Sequence, residues 1–373
     1  MKTLLKISLF AVLGVVIYYF ACYQTPEQKE FKKTFASAEK GDSSAQLRLG
    51  DFYVQGYGTK SNPQQALAWY RKSLQDGNTE ASWKLAQFYV QQQNWNEAAA
   101  YLQLAAQDGQ AAAQNELGHF YEEGLGGLPK HKGQAFYWRN LAAQHGNQNA
   151  LMWLKKIERE DPNFYEQEKQ FLNNLQLAQN EEVDAMLQVA RAYQFGVEIL
   201  PDMQQAKNWL NKAWQQGQEP QVGYELAKFY LTKENVLADE EQGISLLAEL
   251  ANIPYAPAQY DLGERAYQQE PPNYKDAFAW FSNAAANGLA RGQYMTGVML
   301  MQGQGMTRSV PLSIQFFEQA AAQEDPSAQY VLGQIYYKGL GVTPNRKKGE
   351  EFLQRAAKNG SVPAQSFLEN ISK

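Results

Sequence analysis

The chain copies itself, and this limits its fold more than any other feature. "AQLRLGDFYVQGYG" (Ala45–Gly58), "AQNELGHFYEEGLG" (Ala113–Gly126) and "AQYVLGQIYYKGLG" (Ala328–Gly341) share A-Q-x-x-L-G-x-x-Y-x-x-G-x-G without a gap. Weaker copies begin at Ala258 and Gly292. A second phrase follows: "ALAWYRKSLQDG" from Ala66, "AFYWRNLAAQHG" from Ala135, "AKNWLNKAWQQG" from Ala206 and "AFAWFSNAAANG" from Ala277. The first-phrase leucine, or its stand-in, recurs from Leu49 to Leu368 at steps of 32–37 residues. This spacing predicts nine two-helix units and a final single helix. Periods of this length belong to stacked arrays, in which each unit buries its apolar face only against its neighbours.

One unit can be read from its residues. Ala45, Leu49 and Tyr53 fall at i, i+4 and i+8, one stripe of a helix. Ala45 and Gly50 are small enough for a second helix to approach. Gly56 ends the first helix, because glycine accepts the left-handed cap. Asn62 and Pro63 restart a helix as cap and first residue. Ala66, Trp69 and Leu74 supply its packed face, and Gly77 ends it.

These units resemble Sel1-like repeats, relatives of the tetratricopeptide repeat. The residues that carry the likeness are A-x-x-x-L-G-x-x-Y, G-x-G and A-x-x-W-[YF]-x-x-A-A-x-x-G, over about residues 39–373. The first, third, seventh and ninth units fit best. The second lacks Gly-x-Gly, the sixth is altered at "ANIPYAP", and the fourth, near residues 150–180, is charged and degenerate. That fourth unit is a candidate break between two halves. The resemblance implies an all-α, right-handed solenoid closed by a C-terminal capping helix.

Composition narrows the function. The net charge of −5 argues against nucleic acid, which requires a basic face. The recurring Gly-x-Gly at Gly56, Gly124, Gly303 and Gly339 follows helices, whereas a phosphate loop follows a strand. His119, His131 and His145 lack metal-ligand spacing, and the paired glutamates at 122–123, 181–182, 240–241 and 350–351 read as solvated helix faces. The expectation is no catalytic residue, no cofactor and no metal.

The N-terminus reads separately. Lys2 and Lys6 precede an uncharged run from Ile7 to Tyr23, at the lower limit for a bilayer span. Residues 1–23 are expected to be a membrane anchor or signal, with residues 4–23 in the membrane and 24–38 a polar spacer. "YFAC" resembles a lipobox, which makes Cys22, the sole cysteine, a candidate for lipidation. Cleavage to a secreted form is a third outcome. The repeat body is expected in the periplasm, anchored at the inner membrane, with a lipoprotein as the second reading.

One position is a candidate for binding. Two residues past the first-helix alanine lies about 200° around the helix. In related tetratricopeptide arrays it faces the concave groove. Leu47, Trp83, Tyr224, Tyr260, Tyr294 and Tyr330 stand there. They are expected either to bind a protein or peptide partner or to pad neighbouring helices. The resemblance implies a non-catalytic envelope scaffold or adaptor. An immunity or adaptor protein for a secreted antibacterial effector is the alternative, and a β-lactamase-like hydrolase a remote third, since the disulfides of such relatives are absent here.

Overall fold

The computed structural model describes residues 24–371. The anchor expected over residues 1–23, Cys22 included, lies outside them. Among the described residues there are helices, turns and no strand, and no helix is long and apolar enough to cross a membrane.

The first helix, α1 (Pro26–Glu39), corrects an expectation. Residues 24–38 are not a spacer. Thr25 and Gln28 form a reciprocal capping box, with Pro26 at the first helical position. Phe31 and Ala38 pack against Leu49, Phe52 and Tyr53 of the first repeat. Helix α1 therefore packs on the A helix that follows it as the B helices do on theirs.

Nine helix pairs and a last helix follow, in the expected order. The first or A helices are α2 (Ser43–Gln55), α4 (Glu80–Gln91), α6 (Ala111–Glu123), α8 (Gln148–Glu160), α10 (Val183–Phe195), α12 (Pro220–Leu231), α14 (Ala256–Gln268), α16 (Ala290–Gln302) and α18 (Pro326–Lys338). The second or B helices are α3 (Pro63–Gln75), α5 (Trp95–Gln107), α7 (Lys132–Gln144), α9 (Pro162–Gln179), α11 (Met203–Gly217), α13 (Glu240–Asn252), α15 (Tyr274–Ala286), α17 (Val310–Ala322) and α19 (Arg346–Lys358), and α20 (Val362–Ile371) closes the stack. Apart from α9, each helix packs chiefly on its sequence neighbours. The architecture is an α-solenoid of repeats.

The punctuation is as read. Gly56 caps α2 in the left-handed region, and Asn62 accepts from the N–H groups of Gln64 and Gln65 at the start of α3. Gly50 lets α3 approach: a Cβ there would lie 2.4 Å from the Tyr70 ring. The chain divides into two compact units within the degenerate fourth repeat, in α9. One runs to Asn173 and includes Gly196–Pro201; the other holds Asn174–Phe195 and everything from Asp202. The core of the first includes Leu49, Leu85, Leu102, Leu117 and Phe120. Met186, Phe229, Leu247, Phe281, Phe317 and Leu332 build that of the second.

Candidate functional site

Glutamine builds the repeat junctions. The glutamine after the first-helix alanine is buried in several repeats, and its amide donates to a carbonyl eight residues back, in the last turn of the preceding helix. The pairs are Gln46 to Ala38 (3.2 Å), Gln114 to Ala106 (3.0 Å), Gln259 to Ala251 (3.1 Å), Gln293 to Ala285 (3.4 Å) and Gln329 to Ala321 (3.3 Å). The carbonyls of Ala38, Ala106, Ala285 and Ala321 also accept a backbone N–H from three residues on, so the amide is a second donor at a helix end. The other end of the amide meets the cap residue of the next B helix: Asn287 Nδ2 donates to Gln259 Oε1 at 2.9 Å, and Asn359 Nδ2 to Gln329 Oε1 at 3.1 Å. The repeated A-Q dipeptide carried this signal, but its role appears only when the helices stack.

The candidate binding residues lie beside these junctions, half-buried. In the first unit Leu47 packs against Ala66, Tyr70 and Leu85, and Trp83 against the cluster containing Leu102 and Leu117. In the second unit the Tyr224 hydroxyl donates to Asp261 Oδ2 on the next A helix at 2.9 Å. Tyr260 stacks obliquely on Phe281 at 5.3 Å and donates to Glu264 at 2.9 Å. Tyr294 lies 5.9 Å from Phe317. Tyr330 packs on Leu353, Ala356 and Ala364, and accepts from Gln334 Nε2 at 2.8 Å. Each side chain thus pads a neighbouring helix. Burial pushes the Tyr224 and Tyr260 phenols up, with Asp261 and Glu264 adding to the effect.

Three junctions of the A-helix face carry an ion pair in one register, in which the residue two past the marker leucine meets the residue before the next marker: Asp51 with Lys84 at 3.0 Å in the first unit. In the second unit Arg191 pairs with Glu225 at 2.8 Å, and Lys228 with Asp261 at 3.7 Å. At α16 and α18 the same two positions are Val298 and Val331. There a cavity of about 250 Å³ lies between the helices, lined by Tyr294, Val298, Met301, Phe317, Val331, Gln334 and Leu340, among others. Of the sequence candidates, Tyr294 alone lines it. The switch from charge to valine at those positions was visible in the sequence, but its meaning required the pairing register.

The third repeat carries a buried cation. Arg139 stands where other repeats place Tyr70, Phe281 or Phe317 against the glycine of the A helix. Its guanidinium pairs with Glu122 at 2.7 Å and lies 4.3 Å from the Trp153 ring, while Trp153 Nε1 donates to Glu122 at 3.1 Å. His119, Glu122 and Glu123 bring ligand atoms within 4.8 Å of one another, which the histidine spacing did not suggest. Glu122 is already committed to Arg139 and Trp153, and no ligand role is assigned. His131 caps α7, its Nδ1 accepting from Gln134 N at 3.0 Å, and burial lowers its pKa.

The Sel1 repeat model matches residues 43–78, 111–147, 183–218, 256–289, 290–325 and 326–361. The unmatched intervals are the second, fourth and sixth units, those whose phrases depart from the repeat. A search of the curated proteins gives no match. Among solved structures, a Sel1 repeat protein from Oxalobacter formigenes is 23% identical, with a TM-score of 0.46 and coverage of 91% of this chain and 90% of the other. A protective antigen of uropathogenic Escherichia coli with an SLR fold is 25% identical, with a TM-score of 0.41 and the same coverage. An immunity protein from Pseudomonas aeruginosa is 16% identical, with a TM-score of 0.35, covering 68% of this chain and 84% of the other. With six matched repeats spread over more than half its length, the chain belongs to the Sel1 repeat family.

Proposed function

We propose that this chain is a non-catalytic scaffold of the bacterial cell envelope that holds a protein or peptide partner on the A-helix face. Sel1 repeat proteins are generally protein-interaction scaffolds, and their fold is typically non-catalytic. One observation carries the choice of face. The A-helix stack is closed by cross-repeat ion pairs in several repeats, yet α16 and α18 leave an apolar cavity between them. A scaffold needs such a place, since a few desolvated apolar contacts dominate most interfaces.

The test is site-specific photo-crosslinking of the full-length chain in intact cells. A crosslinker replacing Gln334 on α18 is expected to capture a partner. One replacing the exposed Gln315 on the B helix α17 is not. Equal capture from both positions, or capture from Gln315 alone, overturns the choice of face.

The proposed location rests on the sequence of residues 1–23: an inner-membrane anchor, with the repeats in the periplasm. The mass of the mature chain decides. An unprocessed N-terminus supports the anchor, a chain beginning at lipid-modified Cys22 supports the lipoprotein, and a shortened unmodified chain overturns both.

A further inference from the structure

We infer that the cavity between α16 and α18 receives one large apolar side chain from an acidic peptide segment of the partner. This rests on the A-helix face being the partner surface and adds the chemistry of what it takes.

The size of the cavity selects a side chain. At about 250 Å³ it falls below the roughly 300–1,000 Å³ typical of small-molecule pockets. Its walls are apolar where Val298, Met301, Val331 and Leu340 line it, and Leu340 remains 49% exposed at the edge. Three polar side chains, Tyr294, Gln302 and Gln334, line it as well. The Gln334 amide already donates to Tyr330. Tyr294 differs from Tyr224, Tyr260 and Tyr330, because its hydroxyl has no hydrogen bond among the described residues. A peptide backbone crossing the cavity finds a donor there.

Charge selects the flanking residues. Between Asp325 and Glu350 the sequence holds Lys338, Arg346, Lys347 and Lys348 and no carboxylate. Lys338 is four residues beyond Gln334, so both lie on one stripe of α18. Its ammonium sits 5.3 Å from the Phe367 ring, and the Arg346 guanidinium sits 5.7 Å from the Tyr337 ring. These ring contacts position the cations without neutralising them. Lys348 is matched by Glu318 at 3.4 Å, whereas Lys338, Arg346 and Lys347 form no ion pair among the described residues. Asp325 caps α18 at its other end, accepting from Ala328 N at 2.8 Å. Lys338 is two residues from Leu340 in the cavity lining, so an unpaired cation lies at the Gly339 end, and the partner's carboxylates belong there.

Fluorescence polarisation of the full-length protein in detergent tests this with three labelled pentapeptides. The first has phenylalanine between two pairs of aspartates, the second replaces phenylalanine by alanine, and the third replaces the aspartates by lysines. The first is expected to bind at least about tenfold more tightly than the others. Val331→Glu should weaken it by a similar factor, while Gln315→Ala, exposed on the B helix α17, leaves it unchanged. Lys338→Glu with Arg346→Glu should reverse the preference toward the lysine peptide, which no loss of folding can imitate. Equal binding of all three peptides, binding unaffected by both cavity and charge variants, or no binding of any peptide overturns the inference. If cellular crosslinking from Gln334 persists in that case, the general reading of the A-helix face stands and only the acidic, apolar partner is lost.

Discussion

His145 Nδ1 lies 2.8 Å from Gln114 Oε1 while Gln114 Nε2 donates to the Ala106 carbonyl at 3.0 Å. A single buried amide thus joins the end of α5, the start of α6 and the end of α7. Three helices from two repeats meet on one side chain. The same arrangement recurs at Gln259 with Asn287 and at Gln329 with Asn359. At these junctions it ties one repeat to the next by directional hydrogen bonds added to the apolar packing.

Replacing this amide should therefore cost more than its exposed equivalent would. Gln329→Leu keeps the volume but removes both side-chain bonds of the junction; the Ala321 carbonyl keeps Glu324 N and Arg355 Nη2 as donors, and Asn359 keeps the Glu324 carbonyl. A loss of about 1–2 kcal/mol is expected in urea unfolding, the net worth of one or two hydrogen bonds. Gln365, whose side chain is exposed, makes the corresponding bond to Ala357, and Gln365→Leu should cost less.

The pair formed by Arg139 and Glu122 gives a signed prediction. Glu122→Gln leaves a buried guanidinium without its counter-charge, and a loss of about 2 kcal/mol or more is expected. Arg139→Phe restores the residue type that Phe281 and Phe317 provide at this place. It should be neutral or stabilising by thermal unfolding, because a well-packed apolar group matches a buried ion pair in many proteins. A larger loss for Arg139→Phe than for Glu122→Gln would contradict this account.

Two glycines with the same backbone requirement should respond differently. Gly288 and Gly305 both have positive φ, but a Cβ on Gly288 meets nothing within 4 Å. On Gly305 it would lie 2.0 Å from the Tyr274 carbonyl of α15. Gly288→Ala should cost about 1–2 kcal/mol from the left-handed conformation alone. Gly305→Ala adds backbone displacement, about 1–3 kcal/mol more. Calorimetric Tm values for the two variants check the order.

Glu168 makes stability depend on pH. It is 4% exposed, and burial, with Glu198 nearby, pushes its carboxyl up to about 8, against the weaker opposing effect of Lys132. Between the ordinary carboxylate range and pH 8 the folded chain binds a proton that the unfolded chain has lost. Stability therefore falls across this window as pH rises. Glu168→Gln, neutral at every pH, should flatten that slope, and its Tm advantage should grow from pH 5 to pH 8. At pH 8 the gain should exceed about 1 kcal/mol, the worth of one pKa unit.

Much of this architecture is local and so was legible. Repeat length, helix ends and the irregular second, fourth and sixth units followed from Gly56, Asn62, Pro63 and the marker leucines. Even the missed helix α1 had announced itself through Thr25, Pro26 and Gln28, with Phe31, Phe35 and Ala38 along one face. Its charge and its place next to an apolar run hid it. Arg139, by contrast, gave no warning, because an arginine beside "YW" reads as surface until the glycine of the facing helix is in view.

The sequence by itself determined the unit and the order in which units stack, since helix periodicity, caps and glycine stops act within a few residues of one another. Only the tertiary structure decided what each exposed-looking position does. Lys228 reads as a solvent charge, and Asp261 on the next repeat makes it half of a bridge. Val298 reads as core, and Val331 opposite makes it the wall of a cavity. These partners lie 33 residues apart in the chain. Contacts at that distance depend on the register of one helix against another, and that register is set by the packing of the whole repeat.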